Sequence, residues 1–170
     1  MNHKEAFFKK AQHNQEEVVS LEQKTKDDIK TFQESMAALA RQIETWLQGS
    51  GVEVEIFEKP IHDETLSFST AAEVRALSRY MVTTLKLKNG NKQAVLSPVG
   101  VYGGGACGWA NLLLSNLSYS SSHPQPKFLL KFDKSTGSWL IGPKRTTNSE
   151  SAQRMTLTED VFFQAIASLA

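Results

Sequence analysis

One large apolar side chain every three or four residues, from Ile29 through Phe32, Met36, Leu39 and Ile43 to Trp46, is the strongest constraint on how this chain can fold. The alternating steps of three and four keep those side chains on one narrow stripe of an α-helix. Such a helix presents a seam to a partner helix or to a sheet. Residues 4–48 hold no proline or glycine and are rich in Glu, Lys, Gln and Ala, which are strong helix formers. Gly49 follows the last stripe residue and suits the left-handed position that closes a helix. The pattern predicts a long N-terminal helix over 1–49 and a mixed domain over 50–170. Extended backwards, the stripe runs through Thr25, Glu22, Val18, Gln15, Ala11 and Phe8. Polar residues interrupt it there, which allows a break near 20–26.

Downstream, the apolar period changes to that of strands. Val52 to Phe57 alternates apolar and acidic residues, as a half-buried strand does, and Pro60 is expected to end it. Leu66–Phe68 reads as a short strand and Thr70–Leu77 as a helical turn. Tyr80–Lys88 and Lys92–Ser97 flank Asn89-Gly90, a tight-hairpin signal because both residues tolerate positive φ. Periodicity does not decide between strand and helix for Trp109–Leu117. Residues 120–126 read as a loop. Lys127–Phe132 and Ser138–Ile141 read as strands joined by the turn 133–137, and a polar loop follows to about Met155. Thr156 and Glu159 have capping-box spacing ahead of an apolar stripe of Val161, Phe162, Ala165, Ile166 and Leu169. Helix, run of strands, helix implies an α+β fold, with an antiparallel sheet of about five to seven strands.

Nineteen basic and 18 acidic residues leave a net charge of +1. Nucleic-acid binding rests largely on neutralising phosphates, and the small basic spots Lys9-Lys10 and Lys144-Arg145 form no stripe for that purpose. No segment approaches the roughly 20 apolar residues that cross a bilayer, and the N-terminus lacks the apolar core of a secretion signal. The single cysteine, Cys107, cannot form an internal disulfide. The expectation is a cytoplasmic protein with no nucleic-acid or membrane partner and no cofactor.

Chemistry-bearing residues are sparse. Cys107 sits in the glycine-rich stretch Gly103-Gly104-Gly105-Ala106-Cys107-Gly108. If a helix began at Trp109, its free amides would favour the thiolate that a cysteine nucleophile needs. The base would then be His123 or His62, since His3 and His13 fall on the predicted helix. A small Cys107-dependent hydrolase or transferase is the alternative this raises; a small apolar residue in a core is the plainer one. The glycines match neither a Walker nor a dinucleotide pattern and read as a sharp turn or close packing. His62-Asp63-Glu64 has no second ligand cluster to complete a metal site and reads as a solvated polar loop. Glu53 and Glu55 share one face of the first predicted strand and read as edge-solubilising charges. Trp46, Trp109, Trp139, Tyr80 and Tyr102 serve a core or line a ligand pocket near Trp109 and Trp139.

Length supplies the functional argument. A helix of about 45 residues extends about 65 Å, whereas a domain of roughly 120 residues has a radius of gyration near 14 Å. Such a helix, if continuous, must overhang its domain, and the overhang needs a partner, must fold back, or must be disordered. The sequence therefore predicts a non-enzymatic protein–protein interaction module, of adaptor, chaperone or inhibitor type. A protein partner or a second copy would engage it in coiled-coil fashion through Phe7, Phe8, Val18, Val19 and Leu21.

Overall fold

The computed structural model describes residues 2–117, 125–144 and 154–170. The elements are α1 (His3–Trp46), β1 (Glu53–His62), α2 (Glu64–Ser67), α3 (Ala72–Arg75), β2 (Arg79–Asn89), β3 (Lys92–Gly100), β4 (Trp109–Asn116), β5 (Lys127–Asp133), β6 (Ser138–Pro143), β7 (Met155–Thr156) and α4 (Glu159–Ala165), followed by a single turn at Ala167–Leu169. The fold is α+β, as expected. Among the described residues, seven strands form one antiparallel sheet in which spatial order equals chain order.

The first helix is unbroken across 20–26. Asn2 caps it, its side chain accepting from the Glu5 amide. The polar stretch is stitched by i,i+4 contacts: Lys26 with Glu22 at 3.2 Å, Lys24 with Asp28 at 2.8 Å, and Gln23 donating to Asp27 at 3.0 Å. Each such contact adds a few tenths of a kcal/mol, and with no helix breaker present the continuous helix wins over an interruption of the apolar stripe.

From Ile29 to Ile43 the seam does what its spacing predicts. Phe32 and Met36 are fully buried, and Leu39 and Ile43 nearly so. They face rows of cross-strand neighbours: Leu85, Leu96 and Leu112; Leu87, Ala94 and Leu114; Ala110, Leu130 and Ile141. At its end Trp46 meets Phe162 of α4 at 5.4 Å between ring centroids. Phe162 and Ile166 belong to the same core, so α1 and α4 cover one face of the sheet.

Several boundaries differ from the expectation for identifiable reasons. Pro60 does not end β1. Among the described residues that strand pairs with β2 alone, and an edge strand tolerates a residue without an N–H. Leu66–Phe68 is not a strand; Glu64–Ser67 forms a helical turn capped by the Asp63 side chain, with Leu66 in the core. Thr70–Leu77 does contain a turn, α3. The hairpin is confirmed, but its two loop residues are Gly90 and Asn91, between paired Asn89 and Lys92, with Gly90 at φ 61°. Glycine first in the loop is the II′ arrangement. Trp109–Asn116 is a strand. Thr158, not Thr156, caps α4, because Met155 and Thr156 are drawn into β7 against β6.

The loop from β3 to β4 lies tight against α1. A Cβ added at Gly108 would sit 2.5 Å from the Phe32 ring. Glycine permits this approach, and Phe32 has no free space to yield. Gly108→Ala should therefore cost about 1–3 kcal/mol in urea denaturation. Adding Phe32→Leu should recover part of that, giving a non-additive cycle; strict additivity would show that this contact does not limit packing.

Candidate interaction surface and the Asp28 anchor

The first helix divides at Thr25. Its buried residues all lie between Thr25 and Ile43. Upstream, Phe7 is 67% exposed, Phe8 59%, Val19 65% and Leu21 44%, while Val18 is half-buried. The ring centroids of Phe7 and Phe8 are 6.3 Å apart, and Lys4 lies over the Phe8 ring. All five residues expected at a partner surface are thus on the part of α1 that leaves the body. About 33 Å of helix at 1.5 Å per residue separates His3 from Thr25.

At the division, Asp28 is 2% exposed and gathers contacts from three chain segments. Tyr102 Oη and Lys24 Nζ donate to Oδ2, the lysine at 2.8 Å, while Lys134 Nζ stands 3.4 Å from Oδ1. Cys107 Sγ lies 3.9 Å from Oδ1. Lys24 also sits over the Tyr102 ring at 5.3 Å. Burial alone would raise the Asp28 pKa. Hydrogen bonds from Lys24 and Tyr102 and the two ammonium charges outweigh it, holding the carboxyl below its ordinary 3.8. The phenol of Tyr102 moves upward, through burial and its bond to the carboxylate. This cluster clamps α1 to the β3–β4 loop and to the turn after β5, fixing the direction in which the helix departs.

A second buried carboxylate, Asp63, was expected in a solvated loop together with His62 and Glu64. His62 and Glu64 are exposed, but Asp63 is fully buried. It accepts from the Thr65 amide and hydroxyl, from Tyr80 Oη, and from the Val101 amide at 2.9 Å. Protein donors occupy both oxygens, and the described residues contain no group of three or more His, Cys, Asp or Glu suited to a metal ion. Burial and the Asp63 carboxylate raise the pKa of Tyr80 far above its ordinary value. Glu53 and Glu55 are exposed on edge strand β1, opposite Lys88 and Lys86.

Cys107 is not at a helix N-terminus. Its amide reaches Phe132 O at 3.4 Å, and Gly108 O accepts from the Phe132 amide, so both residues prolong the β4–β5 pairing. Burial first, and the adjacent Asp28 carboxylate second, push the thiol pKa up. A nucleophilic thiolate needs the opposite environment. His62 is the last residue of β1 and is exposed; His123 lies outside the described residues.

The aromatics separate. Tyr80 and Tyr102 serve the two carboxylates. Trp109 is under Lys131 and Arg154, each within 6 Å of its ring, and donates to Gly103 O. Trp46 and Trp139 line an open groove of about 470 Å³ between α1 and the β5–β6 turn. Glu34 is the ionisable residue among those lining it, so the groove brings no acid–base pair together.

No protein-family model, curated protein or solved structure matches this chain. The reading therefore rests on the geometry above. Sequence patterning missed Asp28, Lys24, Tyr102 and Lys134 as a group. The Lys24–Asp28 spacing was visible as a helix pair, but nothing local indicates that Tyr102 and Lys134 converge on it.

Asp28→Asn keeps an acceptor for Tyr102 but discards the charge, and should cost about 1–3 kcal/mol near pH 7. The folded carboxyl has the depressed pKa, so its contribution is whole above the ordinary carboxylate range and is lost as pH falls through the folded value. The gap between wild type and Asp28→Asn in urea denaturation should therefore close as pH drops below about 4; a constant gap would contradict the anchor's electrostatic origin. Native Cys107 should react slowly with a thiol reagent at neutral pH and rapidly after unfolding. Fast native labelling would restore the thiol to consideration as a nucleophile.

Proposed function

We propose that this chain is a non-enzymatic protein–protein interaction module, of adaptor, chaperone or inhibitor type, that associates through the N-terminal half of α1. The observation carrying this reading is the division of one continuous helix at Thr25: seam residues beyond it are buried in their own core, while Phe7, Phe8, Val19 and Leu21 before it face solvent. Exposed apolar residues concentrated on one projecting element mark interaction sites more often than residues scattered singly. A helix without tertiary contacts is also marginal in water, so this segment gains order from a partner. The free thiol of Cys107 suits a reducing compartment, which supports a cytoplasmic setting. No helix among the described residues is long and apolar enough to cross a membrane. The alternative, a Cys107-dependent hydrolase or transferase, has weaker support because burial and Asp28 both disfavour the thiolate.

Hydrogen exchange on the full chain tests the proposal. In dilute solution, amides of 3–24 should exchange far faster than those of 29–43, and they should gain protection on association. Val18→Glu with Leu21→Glu should abolish that gain and leave the thermal midpoint within about 2 °C, since neither residue is in the core. A strictly monomeric chain in which 3–24 are as protected as 29–43 would mean that the segment folds back on its own body, and the proposal would fall.

A further inference from the structure

We infer that the occupant of the projecting helix is a second copy of this chain, paired antiparallel along residues 3–22. The inference rests on the interaction reading and names its partner. Along the projecting part of α1, Phe7, Ala11, Asn14, Val18 and Leu21 follow steps of four, three, four and three; Phe7, Asn14 and Leu21 are exposed, and Ala11 and Val18 are half-buried. That is a coiled-coil seam, and it shares Ala11 and Val18 with the backward extension of the stripe that enters the core. The residues preceding Ala11 and Val18 in sequence, Lys10 and Glu17, border the seam on one side and are exposed. Gln15 and Glu22 border it on the other.

Charge selects the orientation. In a parallel pair, each Glu17 would meet Glu22 of the other copy one heptad on, a repulsion counted twice. In an antiparallel pair, residues on the same border meet each other. Setting Phe7 against Val18 of the second copy, and Ala11 against its Asn14, brings Lys10 beside Glu17 of the other copy, twice by symmetry. Asn14 then faces the small Ala11 side chain, a polar seam position of the kind that fixes register. Sliding one heptad toward the tips sets Lys10 against Lys10. Sliding one heptad toward the bodies sets Glu17 against Glu17 and Lys10 against Lys24. Two heptads toward the bodies would pair Glu17 with Lys24, but would place Ala11 on Asp28, whose carboxylate Tyr102, Lys134 and Cys107 already enclose.

Length agrees with charge. In the favoured register His3 of one copy faces Glu22 of the other, so the overlap stops just short of Thr25, where α1 becomes buried. The overlap spans the projecting segment and ends before the buried part of α1 begins. The positive end of each helix dipole also falls beside Glu22 of the other copy.

Sedimentation of the full chain across concentration is the test. Wild type should dimerise reversibly. Lys10→Glu and Glu17→Lys should each raise the dimer Kd roughly tenfold, because two equivalent pairs turn from attraction to repulsion. Lys10→Glu combined with Glu17→Lys in one chain should return to near the wild-type value, and an equimolar mixture of the two single variants should form heterodimers. Single variants that leave Kd unmoved, or a double variant that does not recover, overturn the register. A chain monomeric at every concentration, with amides 3–24 still unprotected, overturns self-association and leaves the broader interaction reading standing. These substitutions lie at exposed positions outside the core, and the unchanged thermal midpoint of each variant serves as the folding control.

Discussion

The contact between the Phe32–Met36–Leu39–Ile43 seam and the inner face of the sheet is the one on which the remainder depends. A seven-stranded meander has two faces, and one must be covered for the sheet to stand in water. Here α1 supplies most of the cover, with α4 closing the corner through the Trp46–Phe162 pair. The glycine-rich β3–β4 loop owes its shape to the same contact, since Gly108 lies where the Phe32 ring leaves no room for a Cβ.

Once that seam is seated, the excess length of α1 has a fixed direction. Asp28 holds the helix where it leaves the body, through Tyr102 from the β3–β4 loop and Lys134 from the turn after β5. The cluster pairs one buried carboxylate with two ammonium groups and a phenol. Its low pKa follows from those partners despite burial, which by itself acts in the opposite sense. Burial, and with it the carboxylate that anchors the helix, raises the pKa of the Cys107 thiol.

Much of the architecture was legible because it depends on short-range periodicity. The apolar stripe of α1, the alternation in β1, the Asn-Gly hairpin signal between β2 and β3 and the stripe of α4 are each local patterns with a direct physical meaning. Errors fell where local signals conflict or are weak. Pro60 stops a central strand but not an edge strand, and edge position is a property of the sheet. Leu66 is apolar in either a strand or a helical turn, and the Asp63 cap decided the matter. Thr156 and Thr158 are both plausible caps; pairing of β7 with β6 removed the first.

The spacing of apolar residues set the helix, its length, the α+β class and the mismatch between rod and body, because each follows from neighbours a few positions apart. Burial of Asp28 and Asp63 was settled by the fold. Their partners Tyr102, Lys134, Tyr80 and Val101 lie far along the chain, and a carboxylate enters a core only where distant donors arrive together to replace water. No local pattern encodes that convergence; packing the helix onto the sheet creates it.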